Sequence, residues 1–284
     1  MKIGYYPGCS LESTAREYDL SLRAVASKAG VELIEFPDWN CCGASSAHAV
    51  DPFLAVALPA RNLMIAEAMG LDVTAPCAAC FLRLREAKKQ MDKDPSVRKE
   101  IEEVLEKRYR GTAQVYHPLT VLSQAAIKKK IEQAIVNDLK GLKVVCYYGC
   151  YLVRPPETTH FDDPENPMVM DELIRLTGAE VLDWAWKVDC CGGSHALLRP
   201  ELVERLVNEI MDGAHKVAAH GIATACPLCH ANLETRQKGA NLLPVFYFPE
   251  ILGLAMGLKH EARGWWKRHV ITPKIIQRLA PRPV

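Results

Sequence analysis

The sequence predicts an α/β protein of two pseudo-symmetric halves, each a mostly parallel sheet flanked by helices. Two observations carry this. Short apolar or β-favouring runs bounded by Gly, Pro or Asn alternate with stretches whose apolar residues recur at helical spacing. Ten of the eleven cysteines also form one pattern that occurs twice: Cys9, Cys41-Cys42, Cys77 and Cys80, then Cys150, Cys190-Cys191, Cys226 and Cys229. In both copies 34 residues separate the adjacent pair from the final C-x-x-C.

The halves align beyond the cysteines. KIGYYPGC (2–9) matches KVVCYYGC (143–150), an apolar, aromatic strand ending in Gly-Cys. AGVELIEFPDWNCCG (29–43) matches TGAEVLDWAWKVDCCG (177–192), where a Gly closes a helix and a strand leads to the paired cysteines. TAPCAACF (74–81) matches TACPLCHA (224–231), and AQVYHPLTVL (113–122) matches LPVFYFPEIL (243–252). So many anchors at one spacing indicate a tandem duplication, with units expected at 1–141 and at 142–284, the second carrying a C-terminal tail. Helices are expected over 52–69 and 200–219, each with Pro in its first turn, and over 124–141. The charged stretch 84–110 reads as one solvated helix. Cysteines at the C-terminal ends of parallel strands converge on the rim where α/β sheets place their sites.

Composition narrows the function classes. A chain of 284 residues with 49% apolar and 24% charged residues has a full-sized core and does not need cysteine staples. A net charge of +1 gives no whole-chain attraction to nucleic acid or an anionic membrane. No apolar run is long enough to span a bilayer, and the start, MKIGYYPGCS, lacks signal-peptide character. The expected setting is the cytoplasm, where a cysteine framework more often binds metal or is catalytic than disulfide-bonded.

Five thiols per half point to metal clusters. Each C-x-x-C opens a predicted helix, whose free N–H groups and partial positive charge favour thiolates. Adjacent cysteines reach one tetrahedral ion only with strain, but can reach two irons of an extended cluster. Gly43 and Gly192, just after the pairs, are expected to leave room for the backbone to approach an inorganic core. Structural zinc is the rival reading, although five ligands exceed its usual four. Iron–sulfur ligation suits many thiolates better, and the common ferredoxin run is absent.

The spacings C-x31-CC-x34-C-x-x-C and C-x39-CC-x34-C-x-x-C, with YYGC, FDDPENP (161–167) and the tail GWWKRHVITPKII, resemble the CCG-domain pattern. Nearly the whole chain is similar to the B subunit of heterodisulfide reductase. The resemblance implies two non-cubane [4Fe-4S] clusters, one held by Cys9, Cys41, Cys42, Cys77 and Cys80, the other by Cys150, Cys190, Cys191, Cys226 and Cys229. It also implies a small-molecule disulfide, such as the coenzyme M–coenzyme B heterodisulfide, bound between the clusters. Each cluster would donate one electron and capture one thiolate. No flavin or nicotinamide fingerprint is present, so electrons are expected from a ferredoxin-like C subunit fed by a flavin-containing A subunit. The alternatives are an electron-relay protein of a related complex acting on another substrate, and a structural zinc protein.

Other residues carry weaker signals. His48 and His195 follow the two Cys-Cys pairs closely and are candidate proton or hydrogen-bond donors, or plain loop histidines. His117, matched by Tyr247, reads as a polar tip near the site. His230, beside Cys229, reads as supporting rather than ligating. Cys146, matched by Tyr5, reads as a buried strand residue. The basic tail from Lys259, with adjacent Trp265 and Trp266, is either a partner-docking segment or wraps its own domain.

Overall fold

A computed structural model of the chain describes residues 1–44 and 47–275. Two four-stranded sheets dominate it. In the first, β1 (Lys2–Tyr5), β2 (Glu32–Glu35), β3 (Val73–Thr74) and β4 (Val115–Tyr116) lie in the order β2-β1-β3-β4. In the second, β5 (Lys143–Tyr147), β6 (Glu180–Val181), β7 (Gly221–Thr224) and β8 (Val245–Tyr247) lie in the order β6-β5-β7-β8. Every pairing is parallel, with Ile3 opposite Leu33 and Tyr5 opposite Thr74 in one sheet, and Val144 opposite Val181 and Thr224 opposite Tyr247 in the other. Parallel strands need crossover connections, and the helical stretches between strands supply them. The central strands β1 and β5 are almost wholly buried, which fits their continuous apolar character.

This order makes each half an open sheet whose winding reverses between its two central strands. At β1/β3 and at β5/β7 the connections leave in opposite directions, and a crevice opens beyond the carboxyl ends of the strands. Cys9 and Cys77 follow β1 and β3; Cys150 and Cys226 follow β5 and β7. The cysteines therefore sit where this architecture opens its sites.

The helix Pro52–Met69 forms as its spacing predicts, with the Asp51 side chain accepting from Phe53 and Leu54 N–H and Gly70 closing it in the left-handed conformation. The helix expected over 200–219 runs Pro200–Lys216, and that expected over 124–141 is shorter, Ala125–Ala134. The stretch 84–110 departs from expectation by splitting between two helices, Ala78–Lys93 and Pro95–Leu105. Asp94 is extended, as the residue before a proline prefers, and its carboxylate caps Ser96 and Val97 N–H. Nor is the stretch only a solvated face, since Met91 and Ile101 are fully buried. FDDPENP is a capped turn: Asp162 accepts from Met168 and Val169 N–H, and Asp163 from Glu165 and Asn166 N–H.

The halves interlock. Helices Phe248–Ala255 and Lys259–Trp266, which follow β8, pack on Arg16–Lys28 of the first half. Helix Gly8–Glu12, which carries Cys9, contacts Pro227–Thr235, which carries Cys229. The tail's tryptophans are therefore not a docking patch: Trp265 and Trp266 are each 3% exposed, and the Trp265 ring packs against Gly253, which also faces Val25. Residues 276–284 of the tail lie outside the described residues.

Candidate metal centre

Each half builds its thiol nest in the same way. Cys9 lies in the short helix Gly8–Glu12 after β1, Cys41 and Cys42 lie on the loop after β2, and Cys77 caps helix Ala78–Lys93, whose first turn holds Cys80. In the second half, Cys150 follows β5, Cys190 and Cys191 precede a single 3₁₀ turn at Gly193–His195, and Cys226 caps helix Pro227–Thr235, which carries Cys229. All are free thiols. The Sγ atoms of Cys42 and Cys80 lie 3.2 Å apart, and those of Cys191 and Cys229 3.5 Å apart.

Three backbone devices repeat in both halves and explain why these loops close on sulfur. Gly8 and Gly149 have φ of +69° and +68°, and a Cβ on them would stand 3.1 Å from Cys80 Sγ and 3.0 Å from Cys229 Sγ. Only glycine turns the chain here at no steric cost. Tyr6 and Tyr147, two residues earlier, donate their hydroxyls to Asn40 O (2.9 Å) and Asp189 O (2.6 Å), tying β1 and β5 to the loops just before the paired cysteines. Gly43 N–H donates to Cys41 Sγ at 3.4 Å and Gly192 N–H to Cys190 Sγ at 3.3 Å.

The last observation revises the role expected for Gly43 and Gly192. A Cβ there would meet Ala47 and Leu58, or Val203 and Leu206, not the thiol nest. These glycines let the loop turn against the following helix and present an N–H to sulfur. The glycines that make room at the sulfurs are Gly8 and Gly149, and their signal in the sequence is the shared Tyr-x-Gly-Cys at positions 6–9 and 147–150.

Proton affinity is divided unevenly within the nests. Cys41 is held well below an ordinary thiol, chiefly by hydrogen bonds from Cys42 and Cys9, with Gly43 N–H assisting. Cys190 is drawn down to about 6 by Cys150, with Gly192 N–H and nearby His195 adding to the effect. Cys226 is also lowered, by Cys229, by Cys77 and by the backbone N–H groups of Leu228 and Cys229 at the helix start. Hydrogen bonding to Cys41, to Cys226 and to Cys191 in turn, together with burial, pushes Cys9, Cys77 and Cys229 upward. A nest of this kind shares a few protons among several sulfurs and readily gives them up to a bound cation.

The two nests meet. Cys77 of one and Cys226 of the other each shift the proton affinity of the other, Cys77 upward and Cys226 downward. Two buried residues tie the loops that carry them: the Tyr18 hydroxyl reaches Pro76 O (3.3 Å) and Ala225 O (3.2 Å), and His117 Nε2 reaches the same oxygens at 2.9 and 3.2 Å. Burial holds His117 down at about 4, so it is neutral at ordinary pH, and two carbonyl acceptors put its proton on Nε2. Nδ1 then accepts from Leu119 N–H. His117 is thus a cross-tie between the halves, more than the polar tip expected, and Tyr18 escapes sequence reasoning because nothing local marks it. A cavity of about 20 Å³, room for about one water, is lined by Cys150, Cys190, Cys191, Cys226, Cys229 and Ala78 of the other half, with Tyr148, Tyr151 and Leu228.

The remaining candidates separate clearly. His195 is exposed and close enough to Cys190 to favour its thiolate. His48 is half-buried and acts electrostatically on Glu86. His230 is buried and its Nε2 faces Val245 O at 3.0 Å. Cys146 is fully buried in β5, its thiol raised by burial.

The fold and the doubled thiol set define a tandem cysteine-rich-domain protein. The family model "CCG: Cysteine-rich domain" matches residues 3–85 and 144–234. The chain belongs to this family in two tandem copies, the family that also includes the B subunit of heterodisulfide reductase. It is 33% identical to the 8-methylmenaquinol:fumarate reductase membrane anchor subunit of Wolinella succinogenes, across 93% of this chain and 95% of that one. It is 28% identical to the B subunit of the ferredoxin/F(420)H(2)-dependent CoB-CoM heterodisulfide reductase of Methanosarcina acetivorans, across 93% and 92%. A hypothetical protein from Helicobacter pylori shares the fold with a TM-score of 0.69 at 10% identity; it aligns with 94% of this chain, which spans 51% of that one. Among the described residues no helix is long and apolar enough to cross a membrane.

Proposed function

We propose that the chain is the iron–sulfur oxidoreductase component of a multi-subunit complex that reduces a disulfide to two thiols. The observation that carries this reading is that two equivalent five-thiol nests adjoin, with Tyr18 and His117 tying the loops before Cys77 and Cys226 and Ala78 lining the cavity of the second nest. The donor set fits iron–sulfur ligation: five free thiols gathered on the loops of each nest exceed the need of tetrahedral zinc, and three, Cys41, Cys190 and Cys226, are already drawn toward thiolate. Cys9, Cys41, Cys42, Cys77 and Cys80 would hold one non-cubane [4Fe-4S] cluster, and Cys150, Cys190, Cys191, Cys226 and Cys229 the other. When bound, such clusters supply electrons one at a time.

The protein's own residues would position, exclude and protonate. Breaking a disulfide takes two electrons and two protons and yields two thiols, so a site with two equivalent faces suits it. Tyr18 and His117 hold the two faces in register, and Tyr148, Tyr151 and Leu228 wall the cavity at the second nest. His195, exposed beside Cys190, is the candidate proton donor on that side, and His48 its counterpart after the first pair. Electrons would come from a ferredoxin-like C subunit and a flavin-containing A subunit. Eleven free thiols suit the reducing cytoplasm. The halves 1–141 and 142–284 are proposed as the duplicated domains.

A second reading is favoured by the 33% identity to a fumarate reductase component: the same nests relay electrons within a complex whose substrate is not a disulfide. One set of measurements tests both. Anaerobically purified protein should contain iron and acid-labile sulfide, and Cys→Ala at either set should halve the iron and abolish turnover. Thiol release from a disulfide by the reduced complex supports the first reading. Reoxidation of the complex without thiol release supports the relay, and zinc without labile sulfide removes both.

A further inference from the structure

Behind the second nest, and unused by that chemistry, lies a buried cluster built from three elements. His230 and Glu234 stand on helix Pro227–Thr235, Glu250 on Phe248–Ala255, and His269 in the segment after Trp266. All four are at most 7% exposed. One imidazole nitrogen each of His230 and His269 and a Glu234 carboxylate oxygen lie within 4.8 Å of one another. His269 Nδ1 is 3.4 Å from Glu234 Oε1, and His230 Nδ1 is 3.9 Å from Glu234 Oε2.

Each imidazole has its outer nitrogen engaged. His230 Nε2 faces the Val245 carbonyl at 3.0 Å, and a carbonyl only accepts, so Nε2 carries the proton and Nδ1 a free lone pair. His269 Nε2 donates to Glu250 Oε1 at 2.9 Å, and Glu250 Oε2 is itself fixed by Tyr247 N–H. A histidine oriented through its outer nitrogen by a carbonyl or carboxylate is the usual support of a metal ligand. His269 Nδ1 is buried and has no hydrogen-bond partner among the described residues.

The local charge calls for a cation. Glu234 and Glu250 have only histidines as ionic partners among the described residues, and burial, with these two carboxylates nearby, pushes the Glu17 carboxyl of the first half upward, toward its neutral form. A single imidazolium leaves an excess of negative charge in a dry site, and buried charge is costly unless matched. Zinc bonds of about 2.1 Å in tetrahedral geometry set ligand atoms about 3.4 Å apart; His269 Nδ1 and Glu234 Oε1 already stand at that spacing, and His230 Nδ1 lies 3.9 Å from the other oxygen of the same carboxylate.

We propose that His230 Nδ1, His269 Nδ1 and Glu234 bind a divalent first-row metal ion, with Zn²⁺ suited to the donor set, at a site separate from the cysteine nests. The ion would clasp the C-terminal segment to the helix that bears Cys229. Its role is structural, since two helices and β8 close over it and no thiol is a ligand.

The test uses the full chain, purified anaerobically, treated with a chelator and then supplied with Zn²⁺. One equivalent of zinc beyond the iron should resist gel filtration. Its X-ray absorption should fit nitrogen and oxygen near 2.1 Å with no sulfur shell near 2.3 Å. His269→Gln and Glu234→Gln should each lose that equivalent while iron and labile sulfide stay unchanged, which separates this site from the cysteine reading. No bound zinc in the wild-type protein, a sulfur shell around it, or retention of the equivalent in both variants would overturn the proposal. The wild-type absorption spectrum decides the matter even if the variants fold poorly.

Discussion

Gly8 and Gly149 are where the chain has least freedom to change. A methyl group on either would stand about 3 Å from a cysteine sulfur while forcing a left-handed backbone on a residue with a Cβ. The conformation alone costs about 1–2 kcal/mol, and the sulfur must also move. Gly8→Ala and Gly149→Ala should therefore each lower stability to denaturant by about that much and cut the iron of their own nest, read by metal analysis. A nest that keeps full iron would show that the sulfurs have slack. Tyr18 makes a milder prediction. Tyr18→Phe removes a buried hydroxyl shared by two carbonyls that His117 also serves, so the loss should be about 1 kcal/mol by denaturant unfolding.

Helix termini organise the site at the scale of elements. Helices Ala78–Lys93 and Pro227–Thr235 begin on Cys77 and Cys226, and at the second the N–H groups of Leu228 and Cys229 help lower the Cys226 thiol. The loop carrying Cys41 and Cys42 is anchored downstream by helix Pro52–Met69, whose first N–H groups are satisfied by Asp51. Asp51→Ala should cost about 1 kcal/mol and Asp51→Asn much less. An equal loss in both would mean that charge, not hydrogen bonding, is what matters there. The break at Asp94-Pro95 shows how a run of charged residues misleads: charge marks the exposed face, while Met91 and Ile101 bury the other.

At the scale of the molecule the halves are not independent beads. The helices after β8 lie on Arg16–Lys28, and Trp265 fills the space over Gly253 beside Val25. Trp265→Ala removes a large buried ring and should cost about 3–5 kcal/mol. Because the helix bearing that ring packs on the first half, the wild-type chain should unfold in one transition, and the variant should separate into two. Two transitions already in the wild type would show that the interface is too weak to couple the halves.

The duplication, the parallel α/β class and the ten paired cysteines were legible because local chemistry repeats: a strand ending in Gly-Cys, a Cys-Cys before glycine, a C-x-x-C opening a helix. Each such signal is written in neighbouring residues, and aligning the halves doubled it. What could not be read was which distant groups meet. Tyr18 and His117 look like an ordinary aromatic and an ordinary helix cap until the fold brings Pro76 and Ala225 to both of them. His230 and His269 stand 39 positions apart, and only the return of the chain over β8 faces their lone pairs toward Glu234. The roles of the glycines divided likewise, since the space around a Cα is set by whatever packs there. The chain order thus decided which thiols belong to which nest, while the packing of two sheets decided that the nests touch, because contacts between remote segments come from the path of the whole backbone and leave no local mark.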